Sequence, residues 1–158
     1  MIRIDFLGTG NAFTPSGRLH ALTLIDGKIL IDTPPTLITQ LRRKGLKTSE
    51  IEYLLFTHWH ADHTFGFPFF MLERKYISDP KREKDLKIYL RPGGKEKISN
   101  LCNIGFPGSL EDVEKMAHWH EEEMCELAGT NWSFERFPVC HTPETDPHGY
   151  ELTHNTGI

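Results

Sequence analysis

Residues 51–66 read IEYLLFTHWHADHTFG. The first seven form a near-continuous apolar run, the pattern of a strand buried on both faces. The run ends directly at His58, so His58, His60, Asp62 and His63 fall in a loop at the C-terminal end of a central strand. In extended backbone, side chains at i and i+2 point the same way, so His58 and His60 can converge on one ion. Asp62 and His63 are chain neighbours that diverge; they are placed for a second ion beside the first. Imidazole and carboxylate suit zinc, at about 2.0–2.2 Å. Manganese or iron would also fit, so spacing does not name the metal. The plain alternative is a run of polar surface histidines. Four ligand-type side chains between a buried strand and a helix favour metal binding over it.

Upstream of this loop the chain reads as a β-meander. IRIDFLG (2–8) alternates Ile2, Ile4 and Phe6 with Arg3 and Asp5, the period of a half-buried strand. HALTLIDGKILID (20–32) has two β-rich runs meeting at Asp26-Gly27, a favoured hairpin pair. TPPTLITQLRRKG (33–45) changes to a helical period, with prolines in the first turn and Gly45 at the stop. Downstream, Thr64 to Ile77 is helical in part, DLKIYLR (85–91) is a strand, and residues 93–103 and 109–128 read as helices. NWSFERFPV (131–139) and HGYELT (148–153) read as two more strands. Strands first, then helices alternating with strands, predict a mixed α/β (α+β) sandwich.

The segment THWHADH (57–63) resembles the T-H-x-H-x-D-H signature of the metallo-β-lactamase superfamily of metal-dependent hydrolases. FLGTGNAFTPSGR (6–18), ILIDTPPTLITQL (29–41) and DHTFGFP (62–68) look closest to the ribonuclease Z and phosphodiesterase branch. The resemblance implies an αββα sandwich. It assigns His58 and His60 to the first metal, Asp62 and His63 to the second, and a later histidine to the first. His141, in RFPVCHTPETDPHGYEL, matches that later position. Asp32, in LID, resembles the family acid that orients a metal-bound histidine. The family usually continues LID with glycine; here Thr33-Pro34-Pro35 follows. The implied activity is hydrolysis of a phosphodiester, small molecule or RNA, by a metal-bound hydroxide, with Asp62 orienting the nucleophile. Zinc is the first expectation for the ion, manganese or iron(II) the others.

The resemblance also implies a Gly-Asp strand end and a late histidine, and the sequence contains no Gly-Asp pair. The expectation is therefore a single metallo-β-lactamase-like domain over 1–158 that lacks its C-terminal part. The alternative function is a catalytically incompetent metal-binding half, needing a second copy or a complementary chain. Leaving out part of a sandwich should expose apolar surface, and a homo-oligomer would cover it.

Composition sets outer bounds. Hydrophobic residues are 38% and charged residues 25%, a globular profile. No apolar run approaches the roughly 18 residues of a membrane span, and no membrane association is expected. MIRIDFLG reads as a strand rather than a signal peptide. Cys102, Cys125 and Cys140 form no C-x-x-C and fit a reducing cytoplasm. The net charge of −4 hides an asymmetry: residues 74–97 carry nine Lys/Arg against four Asp/Glu, and 98–158 carry two against eleven. Such a basic stretch either guides a phosphate-bearing ligand or forms a solvated face, the commoner case. His118-Trp119-His120 falls in the expected helix 109–128, where i and i+2 point apart and cannot share a metal. GTGN (8–11) lacks dinucleotide-binding spacing and reads as a cleft loop. Trp59 is expected to pack away from the metal, and Cys140 to be a buried structural thiol.

Overall fold

The alternating apolar residues at the N-terminus build β1 (Ile4–Gly8), which pairs antiparallel with β2 (Leu22–Ile25). A tight turn then leads to β3 (Ile29–Ile31). Asp26 and Gly27 both take positive φ there, 49° and 73°, the conformation that selects Asp-Gly in hairpins. From β3 onward the sheet turns parallel: β3 pairs with β4 (Tyr53–Leu55), β4 with β5 (Lys87–Tyr89), and β5 with β6 (His118–His120). Parallel neighbours need crossovers. They run through α1 (Leu37–Arg43), then α2 (Ala61–Thr64) and α3 (Phe67–Glu73), then α4 (Gly94–Gly105). A second, antiparallel sheet holds β7 (Met124–Glu126), β8 (Trp132–Pro138) and β9 (His148–His154). This computed structural model describes residues 1–157.

The central strand is buried on both faces, as its apolar run requires. Leu54 and Phe56 join Leu24, Leu30, Ile88 and Leu90 against the helical residues Leu37, Leu41, Phe67, Phe70 and Ile98. Tyr53 and Leu55 point the other way, joining Ile25, Ile29 and Tyr89 against Leu127, Trp132 and Phe134 of the second sheet. The layers are therefore helices, six-stranded sheet, three-stranded sheet. Each fully buried Leu, Ile or Phe contributes about 1.5–3 kcal/mol. These two slabs are what fix the strand ends carrying the histidines.

The expected helix over 109–128 does not form. A 3-10 turn at Val113–Lys115 is followed by β6 and β7. Good helix formers lose here to tertiary context: β5 offers a free edge, Trp119 packs into the helix-side core, and His120 stacks on Tyr89 at 4.7 Å. His118 and His120 thus share one strand face, contrary to the helical reading. His118 is exposed beside Asp85, while His120 lies against Tyr89.

The charge asymmetry resolves in part into internal pairs. Arg74 is buried and donates to the carbonyls of Thr48, Ile51, Lys84 and Asp85. Lys75 and Arg82 pair with Asp112, Arg91 with Glu123 and Asp146, and Lys95 with Glu114. Much of the basic stretch is therefore spent on the acidic C-terminal part.

Two surfaces show what is covered and what is not. The outer face of β7–β9 is mixed: Glu126, Glu135, Glu151, Ser133 and Thr153 stand in register, with exposed Met124 and Phe137 among them. On β1, Ile4 and Phe6 pair with Ile25 and Thr23, on the side facing the second sheet. They remain 52% and 72% exposed.

Gly66, between α2 and α3, lets two loops touch. Its N–H donates to the Thr33 carbonyl at 2.8 Å, and a Cβ there would collide with the Pro34 carbonyl oxygen. Gly66→Ala should destabilise the chain by about 1–3 kcal/mol, the usual cost of overpacking. Urea denaturation would show it as a lower midpoint at unchanged slope. An unchanged midpoint would mean the two loops are not in contact.

Candidate metal centre

The parallel pairing of β3 and β4 sets the C-terminal ends of both strands side by side. Asp32 leaves β3 and Thr57-His58 leaves β4, at neighbouring positions. Asp32 takes a left-handed backbone, φ 68°, and its N–H donates to the Leu55 carbonyl. That bend aims its carboxylate across the gap. Asp32 Oδ1 accepts the Thr57 backbone N–H at 2.8 Å, and Oδ2 accepts the Thr57 hydroxyl at 2.7 Å. Asp32 Oδ2 also lies 2.7 Å from His63 Nδ1.

These bonds fix two tautomers. The one O–H of Thr57 is committed to Asp32, so Thr57 Oγ1 accepts from His58 Nδ1–H at 3.0 Å. His58 Nε2 then carries a free lone pair. His63 donates Nδ1–H to Asp32 in the same way, which frees its Nε2. A carboxylate or hydroxyl behind a ligating histidine orients the ring and raises its basicity.

Extended backbone through His60, φ −66° and ψ 149°, carries the chain to α2. His60 Nδ1 lies 3.1 Å from His58 Nε2 and 3.0 Å from His141 Nε2. An ion held tetrahedrally at about 2.0–2.1 Å keeps its ligand atoms about 3.3 Å apart. Two of the three separations are close to that spacing and all three nitrogens lie within 4.8 Å of one another, so the donor set fits a zinc-like ion. His58, His60 and His141 are the only three such residues gathered closely enough to hold an ion among the described residues. Asp62 and His63 lie beside them: His63 Nε2 is 3.5 Å from Asp62 Oδ2, and the His58 and His63 rings are 4.1 Å apart. Those two side chains offer one carboxylate and one imidazole to an adjacent position.

Burial, helped by neighbouring His63, pushes the His58 pKa down to about 4. The ring is therefore neutral at pH 7 and has no proton to lose on binding a metal. Burial also works against a charged His63. The hydrogen bond and charge of Asp32 overcome it and raise the His63 pKa above the usual imidazole value.

His141 sits on the exposed β8–β9 loop, which is latched in place. Arg91 Nε donates to Asp146 at 3.0 Å, and the Trp59 N–H donates to the Thr145 carbonyl. Trp59 turns away from the histidines, packing on Phe56 and over Gly94. Cys140 is exposed, not buried as expected; it sits on this loop, outside both cores. The Thr33-Pro34-Pro35 departure costs the site nothing, because Thr33 is buried and accepts from Gly66 while donating to the His63 carbonyl. Thr57 and Arg91 are the positions that sequence reasoning passed over. Thr57 lies within the motif but carries no metal-ligand chemistry. The Arg91–Asp146 latch joins residues 55 apart, with no local signal.

The family model described as "Anti-Pycsar protein Apyc1" matches residues 2–158. Ribonuclease Z of Pyrococcus abyssi is 32% identical over 116 residues, 72% of this chain and 37% of that protein. Ribonuclease Z of Methanococcus maripaludis is 28% identical over 147 residues, covering 89% and 46%. The chain thus spans less than half the length of these relatives. Among solved structures, a diphosphatase of the PhnP family has a TM-score of 0.66 and 25% identity, over 97% of this chain and 63% of that one. The short form of human tRNase Z has a TM-score of 0.69 and 20% identity, over 98% and 65%. The latter likeness concerns the fold, that of the metallo-β-lactamase proteins.

Two outcomes follow from the geometry. Asp32→Ala should weaken zinc binding by about 10–100-fold, the usual effect of removing a group behind a ligand. Competition against a chromogenic chelator would read this, and unchanged affinity would remove Asp32 from the site. The second concerns pH. A depressed His58 pKa means the unfolded chain binds the extra proton, so metal-free stability falls as pH drops from about 6.5 towards about 4. A raised His63 pKa acts oppositely: its contribution is complete below about 6.5 and is lost as pH rises through the folded value. Urea denaturation of metal-free chain should therefore show His58→Gln flattening the acid limb and His63→Gln the alkaline one.

Proposed function

Because this chain belongs to the family of the Anti-Pycsar protein Apyc1, within the metallo-β-lactamase superfamily, we propose that it is a metal-dependent hydrolase of phosphodiester bonds. The observation that carries the reading is the spacing of His58 Nε2, His60 Nδ1 and His141 Nε2. His58, His60 and His141 would hold one divalent ion; Asp62 and His63 would contribute to a second. Zinc suits this donor set first, with manganese or iron as alternatives. When bound, such an ion supplies Lewis acidity and brings the pKa of water down towards about 7.

The chain's own residues do the rest. Asp32 and Thr57 hold His58 and His63 in the tautomers that present Nε2 to the ions. The Asp62 carboxylate, 17% exposed at the rim, orients the attacking water by accepting a hydrogen bond from it. Five of the nine Lys/Arg in residues 74–97, namely Arg74, Lys75, Arg82, Arg91 and Lys95, are engaged in internal ion pairs, which leaves the stretch short of a dedicated basic arm for a long RNA. A small phosphodiester, such as a cyclic nucleotide, is therefore the preferred substrate, and RNA the alternative. No helix of the described residues is long and apolar enough to cross a membrane; we place the protein in the cytoplasm. We read residues 1–158 as belonging to one domain.

A second reading rests on a different observation. The position beside the three histidines has only Asp62 and His63 to offer, where three or four ligands are wanted. Ile4 and Phe6 are exposed next to the free edge of β1. On this reading the chain is a metal-binding half that becomes competent with a second copy or a complementary segment.

Hydrolysis of bis(p-nitrophenyl) phosphate with added zinc or manganese tests both readings. Two ions per chain with turnover, abolished in His60→Ala, supports the hydrolase. One tightly held ion with negligible turnover supports the half-site. A chain that binds no divalent ion sinks both.

A further inference from the structure

The loop after β1 carries an aromatic side chain that neither the core nor the metal centre uses: Phe13, which is 88% exposed. Single exposed apolar residues are common on protein surfaces. The backbone beneath this one is not common. Thr14 takes φ 45° and ψ 53°, and Ser16 takes φ 57°. A β-branched threonine in that left-handed region is a steric outlier. Such backbone persists only where its surroundings over-determine it, and it gathers at ligand clamps. Hydrogen bonds supply the surroundings here. Asn11 Oδ1 accepts the Phe13 N–H at 3.0 Å, and the Asn11 carbonyl accepts the Thr14 N–H at 3.0 Å. The Gly17 N–H donates to the Thr14 carbonyl, and the Arg18 N–H to that of Pro15. At the base of the loop, the Gly10 N–H donates to the Leu19 carbonyl and the Ala21 N–H to that of Gly10. The loop thus holds an apolar ring in solvent on a fixed, strained support.

Strand register puts this support at the histidine end of the sheet. Phe6, Thr23, Ile31 and Leu55 stand in one row across β1 to β4. Residues 9–21 leave the sheet beyond that row on the same side as Asp32 and His58. A strand spacing of about 4.8 Å sets the ends of β1 and β4 about 14 Å apart. Side-chain bonds then tie the loop towards the centre. Gly10 bridges to His20, whose Nδ1 lies 3.1 Å from the Thr36 hydroxyl. Gln40 donates to the His20 carbonyl at 2.7 Å. Thr36 follows the Thr33-Pro34-Pro35 bend, where the Thr33 N–H donates to the His63 carbonyl at 2.7 Å. Three residues of chain span at most about 10 Å, which bounds both Phe13 from Gly10 and Thr36 from Thr33. The aromatic loop and the histidine loop are therefore joined through His20, Thr36 and Thr33.

We propose that Phe13 is a stacking platform for the nucleobase of a nucleotide whose phosphate sits at the histidine centre. The position of the phosphate rests on the metal centre of the preceding section; the base is what Phe13 adds. A flat apolar ring held in water matches the π-face that every base carries, and stacking of this kind tolerates any base. Phe13 has no polar atom with which to read a base edge. It separates nucleotides from phosphodiesters without a base, and it does not select one base over another. At 88% exposure nothing encloses the ring, so a stacked base keeps its second face open to solvent.

Titration calorimetry on the zinc-loaded chain tests this, with adenosine 5′-monophosphate against ribose 5-phosphate. Both ligands carry ribose and phosphate, and only the first carries a base. The nucleotide should bind about 5- to 150-fold tighter, the range for one stacked base. Phe13→Ala should close that gap by weakening the nucleotide alone, with Tm unchanged because the ring is almost wholly exposed. Phe13→Trp should keep the gap, and its added indole fluorescence should be quenched by the nucleotide and not by ribose 5-phosphate. Phe65→Ala, which removes a half-exposed aromatic beside His63, should leave the gap open. Three results overturn the proposal: no gap in the parent chain, equal weakening of both ligands by Phe13→Ala, or closure of the gap by Phe65→Ala instead. Binding of neither ligand also overturns it. Failure of the hydrolase reading is a separate outcome. A chain that shows the Phe13-dependent gap and does not cleave bis(p-nitrophenyl) phosphate loses that reading and keeps this one.

Discussion

The Asp32 carboxylate holds the candidate centre together. It receives a backbone N–H and a hydroxyl from Thr57 and faces the Nδ1 of His63, all within 2.8 Å. Everything upstream serves to deliver it there. The Asp-Gly hairpin returns the chain along β2, parallel pairing puts the ends of β3 and β4 together, and a left-handed residue turns the side chain across. Aspartate tolerates that backbone better than most residues, because its short polar chain bonds locally. Strain at such a position is typical of functional sites. One carboxylate thereby orients two imidazoles, each aimed at a different place in the proposed centre.

Much of this was readable in the residues, and the reasons differ from element to element. The run at 51–57 is apolar without alternation because two slabs press on it, so its central placement was evident. The i, i+2 spacing of His58 and His60 needs only an extended backbone, which the strand end provides. His141 came from the superfamily resemblance, since nothing in its local spacing ties it to a loop 80 residues earlier. The segment 109–128 misled because local propensity there opposes the demand of a free sheet edge; Trp119 and His120 settle it through contacts invisible to periodicity. Cys140 misled for the opposite reason. Cysteine is usually buried, but its neighbours form a latched surface loop.

Charge pattern was ambiguous in the same instructive way. A basic segment beside an acidic one can address a ligand or address itself, and only the fold decides. Here Asp112 takes two cations, and Arg91 takes two carboxylates. Arg136 is the exception: it is one of only two Lys/Arg beyond residue 97, and its buried side chain makes no ion pair among the described residues. Composition alone would have paired it.

Self-neutralisation of the basic stretch has a kinetic corollary. Under the proposed function, a net charge of −4 gives an anionic phosphodiester no long-range attraction to the metal-free chain as a whole. Attraction would then begin only within a Debye length of ions held at the proposed centre, about 8 Å in physiological ionic strength. Capture on that reading would be short-sighted: diffusional encounter would do the searching, and dilution of the medium would hardly hasten it.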